Sequence, residues 1–178
     1  ALITVRMVKY SVPAHLIGQR VRVSLRASCV VVFEGRTVVA THPRLGTRGV
    51  TRVELDHYLE VLRHKPGAFL GSTALAQARA AGAFTAAHDA FWAAARKTSG
   101  DAAGTQALID VLLLHRSLPA DAVIAGITSA LSVGATSPDV VAVEARRHAT
   151  HHTPTPANPT RGGTVVNLPP RRPTDPHQ

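Results

Sequence analysis

The chain has 178 residues, of which 45% are hydrophobic and only 4% aromatic, so alanine, valine and leucine must fill most of its core. Its net charge is +9, and its single cysteine excludes an internal disulfide framework and fits a reducing compartment. No stretch approaches the roughly 20 apolar residues of a membrane span, and the first residues lack the layout of a signal peptide. We therefore expect a cytoplasmic protein without a membrane partner.

The positive charge is concentrated in the first third of the chain. Residues 1–55 hold nine Lys or Arg residues against two acidic residues, whereas residues 56–149 hold eight of each. A positive excess confined to one region predicts a polyanionic partner, most often nucleic acid. An arginine-rich composition imposed by a GC-rich genome is the alternative, but it would not leave the middle of the chain balanced.

Residues 1–55 predict a small all-β barrel. Apolar residues alternate with polar ones in short stretches bounded by turn residues, as is typical of strands. Strands are predicted at 2–9, 20–26, 29–34, 37–42 and 51–55. Gly35 lies where the hairpin turn at 34–36 needs a left-handed residue. Closure into a barrel would remove the edges that a sheet this small exposes.

From residue 56 the apolar residues recur at helical spacing, which predicts an all-α helical bundle over residues 56–149. Capping residues such as Ser72 and Thr85 precede the apolar runs. Helices are predicted at 56–65, 72–82, 85–98, 101–117, 119–134 and 137–149. The loops are short, so we expect antiparallel packing. Phe84, Phe91 and Trp92 are expected to anchor the core, with docking of a partner protein as the alternative.

The last segment, residues 150–178, contains seven prolines and few large apolar side chains. Such a segment cannot bury enough surface to offset its conformational entropy. We therefore predict a disordered Pro-rich tail. The chain should then comprise a basic β-barrel at 1–55, a helical domain at 56–149 and this tail.

A row of arginines marks the candidate binding surface. In the stretch RVRVSLR at 20–26, Val21, Val23 and Leu25 alternate with polar residues, so a strand there would bury one set and expose the other. Guanidinium groups bond phosphate oxygens bidentately, and no aromatic residue alternates with them to stack on single-stranded bases. We predict contact with the backbone of double-stranded DNA. The predicted DNA-binding residues are Lys9, Arg20, Arg22, Arg26, Arg36, Arg44 and Arg48. The alternative is a solvated strand face that only maintains solubility.

No combination of residues predicts catalysis. The acidic residues are single and scattered, and several, such as Asp101 and Asp121, fall at predicted helix starts, where they stabilise free amides. There is no phosphate-binding loop and no nucleophile motif. His148, His151 and His152 lie at helical spacing, but zinc needs four ligands and the cysteine is distant. We therefore predict no catalytic residue, no metal site and no cofactor.

Several long stretches resemble a known family. They are YSVPAHLIG at 10–18, LDHYLEVLRHKPGA at 55–68 and ALAQARAAGAF at 74–84. Over residues 1–148 the chain resembles the C-terminal part of the IstA-type insertion-sequence transposases, which are relatives of the phage Mu transposase and the retroviral integrases. In that family a helix-turn-helix region binds the element ends, and a core with an Asp-Asp-Glu triad and two divalent metals cuts and joins DNA.

The resemblance covers only the parts that follow this core, so no triad residue can be carried over to this chain. It implies a small β-barrel that binds DNA non-specifically and supports assembly of the synaptic complex, followed by a helical region. It also implies other transposase subunits as partners in a homo-oligomer on DNA, an IstB-type helper ATPase, and a nucleoid-associated bacterial protein. We expect a non-catalytic C-terminal region of a transposase, present either as a fragment or as a truncated gene product. The alternatives are a protein-interaction module that recruits the ATPase or other subunits, and an inactive remnant.

Overall fold

A computed structural model describes residues 1–151. Six short strands come first: β1 (Leu2–Val5), β2 (Val8–Ser11), β3 (Arg22–Leu25), β4 (Cys29–Glu34), β5 (Thr37–Pro43) and β6 (Thr51–Arg52). They form two three-stranded sheets. In the first sheet β2 lies in the centre, antiparallel to β1 and parallel to β6. The second sheet is an antiparallel meander of β3, β4 and β5, with a bulge between Val32 and Phe33.

The predicted closed barrel is wrong. Within the described residues the two sheets stay open, and no strand of one sheet pairs with a strand of the other. The reason lies in the connection from β2 to β3. Pro13 has no amide hydrogen to extend the β2 ladder, and a 3-10 turn at Ala14–Leu16 follows, then Gly18 with a φ of 79°. This connection carries the chain out of the first sheet before β3 begins.

The two sheets nevertheless pack against each other. Val8 and Tyr10 of β2 contact Val30 of β4 in one apolar cluster, and Val12 packs with Val32 in a second cluster. All five side chains are almost fully buried. Alternate residues of each strand therefore face inward between the sheets, and the others lie on two outer faces, where Lys9 and Arg22 are exposed but Ser11 and Val31 are buried. We call residues 1–54 the β region.

Six helices follow, one for each predicted helical segment: α1 (Leu59–His64), α2 (Thr73–Ala80), α3 (Ala86–Ser99), α4 (Asp101–Leu113), α5 (Ala120–Ser132) and α6 (Pro138–His151). We call residues 55–151 the helical region. The predicted caps are observed, because Ser72 Oγ accepts from the Leu75 amide and Thr85 forms a capping box with His88. Because α6 continues to His151, the predicted tail boundary at 150 falls inside a helix. The remainder of the predicted tail lies outside the described residues.

An aromatic cluster fills the core of the helical region, as predicted for Phe84, Phe91 and Trp92. Phe69 joins them, with its ring edge-on to the Trp92 ring at 5.2 Å between centroids. A 3-10 turn at Pro66–Ala68 reverses the chain after α1 and places Phe69 in this cluster. The HKPGA segment at 64–68 thus has a structural role, because its turn positions a core residue.

Two glycines permit very close contacts between neighbouring helices. A Cβ on Gly104 would overlap the backbone nitrogen of Arg96, and one on Gly126 would lie only 2.7 Å from that of Ala145. Such distances are far shorter than a normal contact, so any larger residue forces the helices apart. The backbones of α3 and α4, and of α5 and α6, therefore touch directly at these positions.

The helical region covers the free edge of β6. The Gln77 side chain of α2 donates to the Thr51 carbonyl at 2.9 Å and accepts from the Val53 amide at 2.8 Å. Val53 itself belongs to the core of the helical region. An exposed strand edge is an aggregation hazard, and here one glutamine side chain satisfies the free backbone amide and carbonyl groups of that edge. Among the described helices, none combines the length and apolarity needed to cross a bilayer.

Candidate nucleic-acid interface

The basic side chains of the β region are exposed and mostly lack a carboxylate partner. All seven predicted DNA-binding residues are exposed. Of the nine Lys and Arg residues in this region, only Arg52 forms an ion pair with any described residue, at 3.1 Å from Glu54. The second acidic residue of this region is Glu34, whose Oε2 lies 3.7 Å from His15 Nε2. The charge of eight cations is therefore not neutralised by the fold.

One group of these cations lies on the outer face of the second sheet. Arg22 pairs in register with Phe33, and its guanidinium carbon lies 4.3 Å from the centre of the Phe33 ring. This cation–π contact orients the guanidinium while its N–H edges stay free to bond. Arg20 precedes β3 and Arg36 follows β4 in the hairpin turn, so both lie at the same end of the sheet as Arg22.

The predicted strand at 20–26 is shorter in the structure, where β3 covers only Arg22–Leu25. The ladder ends at Arg26 because its amide donates to the Cys29 carbonyl at 2.8 Å and closes the turn to β4. Of Arg20, Arg22 and Arg26, only Arg22 therefore stands within a strand. The continuous arginine row expected from the alternation is divided between the two ends of the hairpin.

A second group lies at the opposite end of the second sheet. The Arg44 amide donates to the Ser28 carbonyl at 2.8 Å, and its guanidinium reaches the Arg26 carbonyl at 3.5 Å. Arg44 and Arg48 line a cleft of about 420 Å³ together with Arg6, which is outside the predicted set. This end of the β region therefore brings four arginines together from three separate segments.

Lys9 stands apart from both groups. It lies between Val8 and Tyr10, which face inward, so its side chain points out from the first sheet. Arg22 points out from the second sheet, on the other side of the β region. A duplex lying against one outer face could not contact both residues. The seven predicted residues are all exposed, but they do not form one continuous surface.

The aromatic rings of the β region are not available for base stacking. Tyr10 is buried, and its hydroxyl accepts from the Leu45 amide at 3.0 Å. Phe33 is half-buried and lies under the Arg22 guanidinium. Single-stranded nucleic acid is usually held by exposed aromatic rings. The arrangement suits contacts with phosphates better than contacts with unpaired bases.

Sequence analysis missed the turn at Arg6 and Met7. The predicted strand at 2–9 is divided there into β1 and β2, and both turn residues have positive φ, 47° and 64°. The sequence does contain a signal for this turn. The inward-facing residues occupy odd positions up to Val5 and even positions from Val8 onward. Within one strand the inward-facing residues stay two positions apart, so this change from odd to even positions indicates a two-residue turn between two strands.

A buried polar network joins the β region to the helical region. The Ser11 hydroxyl lies 2.7 Å from His57 Nδ1 and accepts from the Glu54 amide at 2.8 Å. The His42 ring is fully buried, and its Nε2 donates to the Ser11 carbonyl at 2.6 Å. Burial, with a smaller effect of the neighbouring His42, lowers the pKa of His57 to about 4. Both rings are neutral near pH 7 and serve the junction as hydrogen-bonding groups.

A second histidine pair lies inside the helical region. The Thr85 amide donates to His88 Nδ1 at 3.1 Å, so the ring proton resides on Nε2, which donates to His115 Nε2 at 3.0 Å. Burial and the adjacent His115 lower the pKa of His88 to about 4. His148, one of the predicted histidine series, lies 3.2 Å from the Ser129 hydroxyl. Over residues 1–151 no three His, Cys, Asp or Glu side chains are grouped as metal ligands.

Comparisons with known proteins address the β region only. Neither a search of curated proteins nor a search of solved structures found a match. Residues 1–54 match the family model described as Mu transposase, C-terminal domain. That description names neither the IstA type nor a helper ATPase. Residues 1–54, with their two small sheets and exposed arginines, are thus similar to the C-terminal domain of Mu transposases.

Proposed function

We propose that the β region binds double-stranded DNA non-specifically, within a non-catalytic C-terminal portion of an IstA-type transposase. The observation that carries this proposal is the set of eight exposed cations in residues 1–54 that have no carboxylate partner among the described residues. The family match over the same residues links the region to transposition. This role belongs to the bacterial cytoplasm, at the nucleoid.

The chemistry of these side chains favours the DNA backbone over the bases. Seven of the eight cations are arginines, and their planar groups match phosphate oxygens in a bidentate geometry. Each phosphate that they neutralise releases counterions from the duplex, which drives binding without regard to sequence. The cations occupy both ends and both outer faces of the β region. We infer that a transposase assembly holds more than one segment of DNA around it.

The test is fluorescence anisotropy of the full chain with a random-sequence duplex of about 30 base pairs across a salt series. The variant Arg20→Ala/Arg22→Ala/Arg26→Ala should reduce the slope of log affinity against log salt by roughly two to three units, since each neutralised phosphate contributes about 0.9. Residual binding is expected from the remaining cations of the β region.

The matched control removes the same number of charges from the helical region. Arg63→Ala/Arg79→Ala/Arg96→Ala changes three arginines that pair with Asp110, Asp89 and Asp101. This control should bind DNA with an unchanged salt slope. If both triple variants lose equal slope, binding depends on net charge and not on the β region. If the wild type does not bind at low salt, the proposal is wrong.

A second proposal concerns the helical region, which we infer to contact other transposase subunits or an IstB-type ATPase. The supporting observation is the exposure of Val61 and Leu70 on either side of the turn at Pro66–Ala68, in a region whose charge is balanced. Purified ATPase and sedimentation of the chain with and without DNA would test it. Val61→Ser/Leu70→Ser should weaken the association while DNA affinity stays unchanged. An unaltered association would exclude this surface.

A further inference from the structure

The turn that joins β1 and β2 has an uncommon composition. It consists of Arg6 and Met7 alone, since Val5 pairs directly with Val8. Both turn residues have left-handed backbone angles, with φ of 47° and 64°. Two-residue turns of this kind strongly favour Asn-Gly, because an L side chain is sterically strained in this conformation. The sequence thus places two long side chains where glycine and asparagine would be less strained.

The fold itself makes no use of these two side chains. Both are exposed, and Met7 retains 62% of its accessible surface. The backbone of the turn is fixed instead by the neighbouring loop, where the Gly49 amide donates to the Met7 carbonyl at 2.8 Å and the Lys9 amide donates to the Val50 carbonyl at 3.0 Å. Strained residues that the surroundings hold in place are concentrated at functional sites. The side chains of the turn are therefore candidates for a contact outside the chain.

The surroundings of the turn define the chemistry of that contact. Arg6, Arg44 and Arg48 line the same cleft of about 420 Å³, and Leu25 and Val30 contribute to its walls. In the described part of the chain no carboxylate pairs with any of the three guanidinium groups. Three cations around a partly apolar cleft suit an anion that also presents apolar surface. A sugar–phosphate backbone has both properties.

Met7 is exposed within the strained turn beside Arg6, whereas Ile17 and Val38, which are exposed near Arg20 and Arg36, have ordinary backbone angles. We propose that the Arg6–Met7 turn enters the minor groove of duplex DNA, with Arg6 in the groove, Met7 against a base step, and Arg44 and Arg48 on the flanking phosphates. This inference rests on the proposed DNA-binding function. The minor groove attracts guanidinium groups through its negative potential, and apolar wedges such as methionine insert between base steps there. An arginine can also bond guanine in the major groove, so the exposed apolar side chain of Met7 beside Arg6 is the feature that favours the minor groove.

The experiment compares two variants of the full chain on a duplex of about 30 base pairs with a central A·T-rich segment. Arg6→Asn/Met7→Gly installs the favoured turn, so its melting temperature should rise by about 2–4 °C while its DNA affinity falls at least about tenfold. A fall in affinity together with a rise in stability cannot result from misfolding. Arg20→Ala/Arg36→Ala, at the other end of the second sheet, is the matched control and should lose less affinity.

Two further readouts identify the groove and the wedge. Netropsin, which occupies the minor groove of A·T-rich DNA, should displace the wild type, and a fluorophore pair on the DNA ends should report a bend that Met7→Ala abolishes. The inference is overturned if Arg6→Asn/Met7→Gly binds DNA as tightly as the wild type does. It is also overturned if netropsin leaves binding unchanged. Absence of any binding by the wild type would instead overturn the proposed function and this inference together.

Discussion

The β region and the helical region carry nearly the same number of basic residues but use them differently. Eight of the nine Lys and Arg residues in residues 1–54 have no carboxylate partner in the described structure. In the helical region five of the eight described cations form ion pairs, namely Arg63, Arg79, Arg96, Arg116 and Arg147. The two charges of an ion pair largely cancel each other's electrostatic potential at a distance from the pair, whereas an unpaired charge remains available to a ligand. The residue type alone would not separate these two cases.

The two regions also differ in how they are held together. The β region contains two small apolar clusters built mainly from valines and one tyrosine. The helical region contains one larger cluster with four aromatic rings, and Val53 at the end of the β region belongs to it. The core of the helical region should therefore contribute most of the free energy of unfolding, and contacts at the junction should stabilise the β region. Three predictions test this comparison.

The largest effect is expected for Phe69→Ala in the core of the helical region. Phe69 is fully buried and packs edge-on against Trp92, so truncation should reduce the free energy of unfolding by about 3–5 kcal/mol. Urea denaturation followed by the fluorescence of the single tryptophan measures it. The neighbouring Leu70 is exposed, and Leu70→Ala should change stability by less than about 0.5 kcal/mol. Equal effects of the two variants would contradict the assigned core.

A smaller effect is expected from mild acid. Burial lowers the pKa of both His57 and His88 to about 4, from an ordinary value of 6.5. Near pH 7 both rings are neutral in the folded and unfolded chains, so the full stability is present. As the pH falls below 6.5, both histidines become protonated in the unfolded chain but remain neutral in the folded chain. Each histidine should therefore cost up to about 3 kcal/mol as the pH approaches 4.

Urea denaturation between pH 7 and about pH 4.5 measures this loss. His88→Gln should remove the contribution of that ring, since a glutamine three residues after Thr85 maintains the capping box without titrating. The remaining dependence comes from His57 and from His42 and His115, whose pKa values burial also lowers. A stability that does not change over this pH range would show that the two rings are accessible to protons.

The smallest effect is expected at the junction itself. Gln77→Ala removes both hydrogen bonds to β6 and should reduce stability by about 1–2 kcal/mol. Hydrogen exchange should accelerate at the Val53 amide, which loses its acceptor, and much less at amides inside α3. Gln106→Ala is the matched control, because its one bond to the Arg63 carbonyl is exposed. Unchanged protection at Val53 would mean that the edge of β6 is held by other contacts.

The helices were the easier part of the molecule to predict. Helical periodicity and local caps such as Ser72 and Thr85 depend only on residues a few positions apart, and the structure has a helix in each predicted segment. The errors at helix starts are small, as where a 3-10 turn at Leu55–Tyr58 replaces the predicted start at Asp56. These elements are determined by local interactions, which the sequence displays directly.

The arrangement of the strands was harder to predict. The alternation around Val21, Val23 and Leu25 predicted one buried side, but burial along β3 does not alternate: Arg22 and Val23 are exposed, and Ser24 and Leu25 are half-buried. The alternation did not show which strands pair, and the predicted barrel was wrong because pairing depends on contacts between distant segments. The chain leaves the first sheet at Pro13, which the sequence contains, but only the tertiary structure shows that β3 does not return to it.

The candidate site shows the same division. Composition determined that positive charge is concentrated in residues 1–55, and exposure of a charged side chain follows from its cost of burial. The tertiary structure alone decided that Lys9 and Arg22 face opposite sides and that Arg6, Arg44 and Arg48 share one cleft. The sequence by itself thus determined how much charge this protein presents and in which region. Strand pairing and sheet packing decided in which direction each charged side chain points, because residues up to 42 positions apart meet only after the chain has folded.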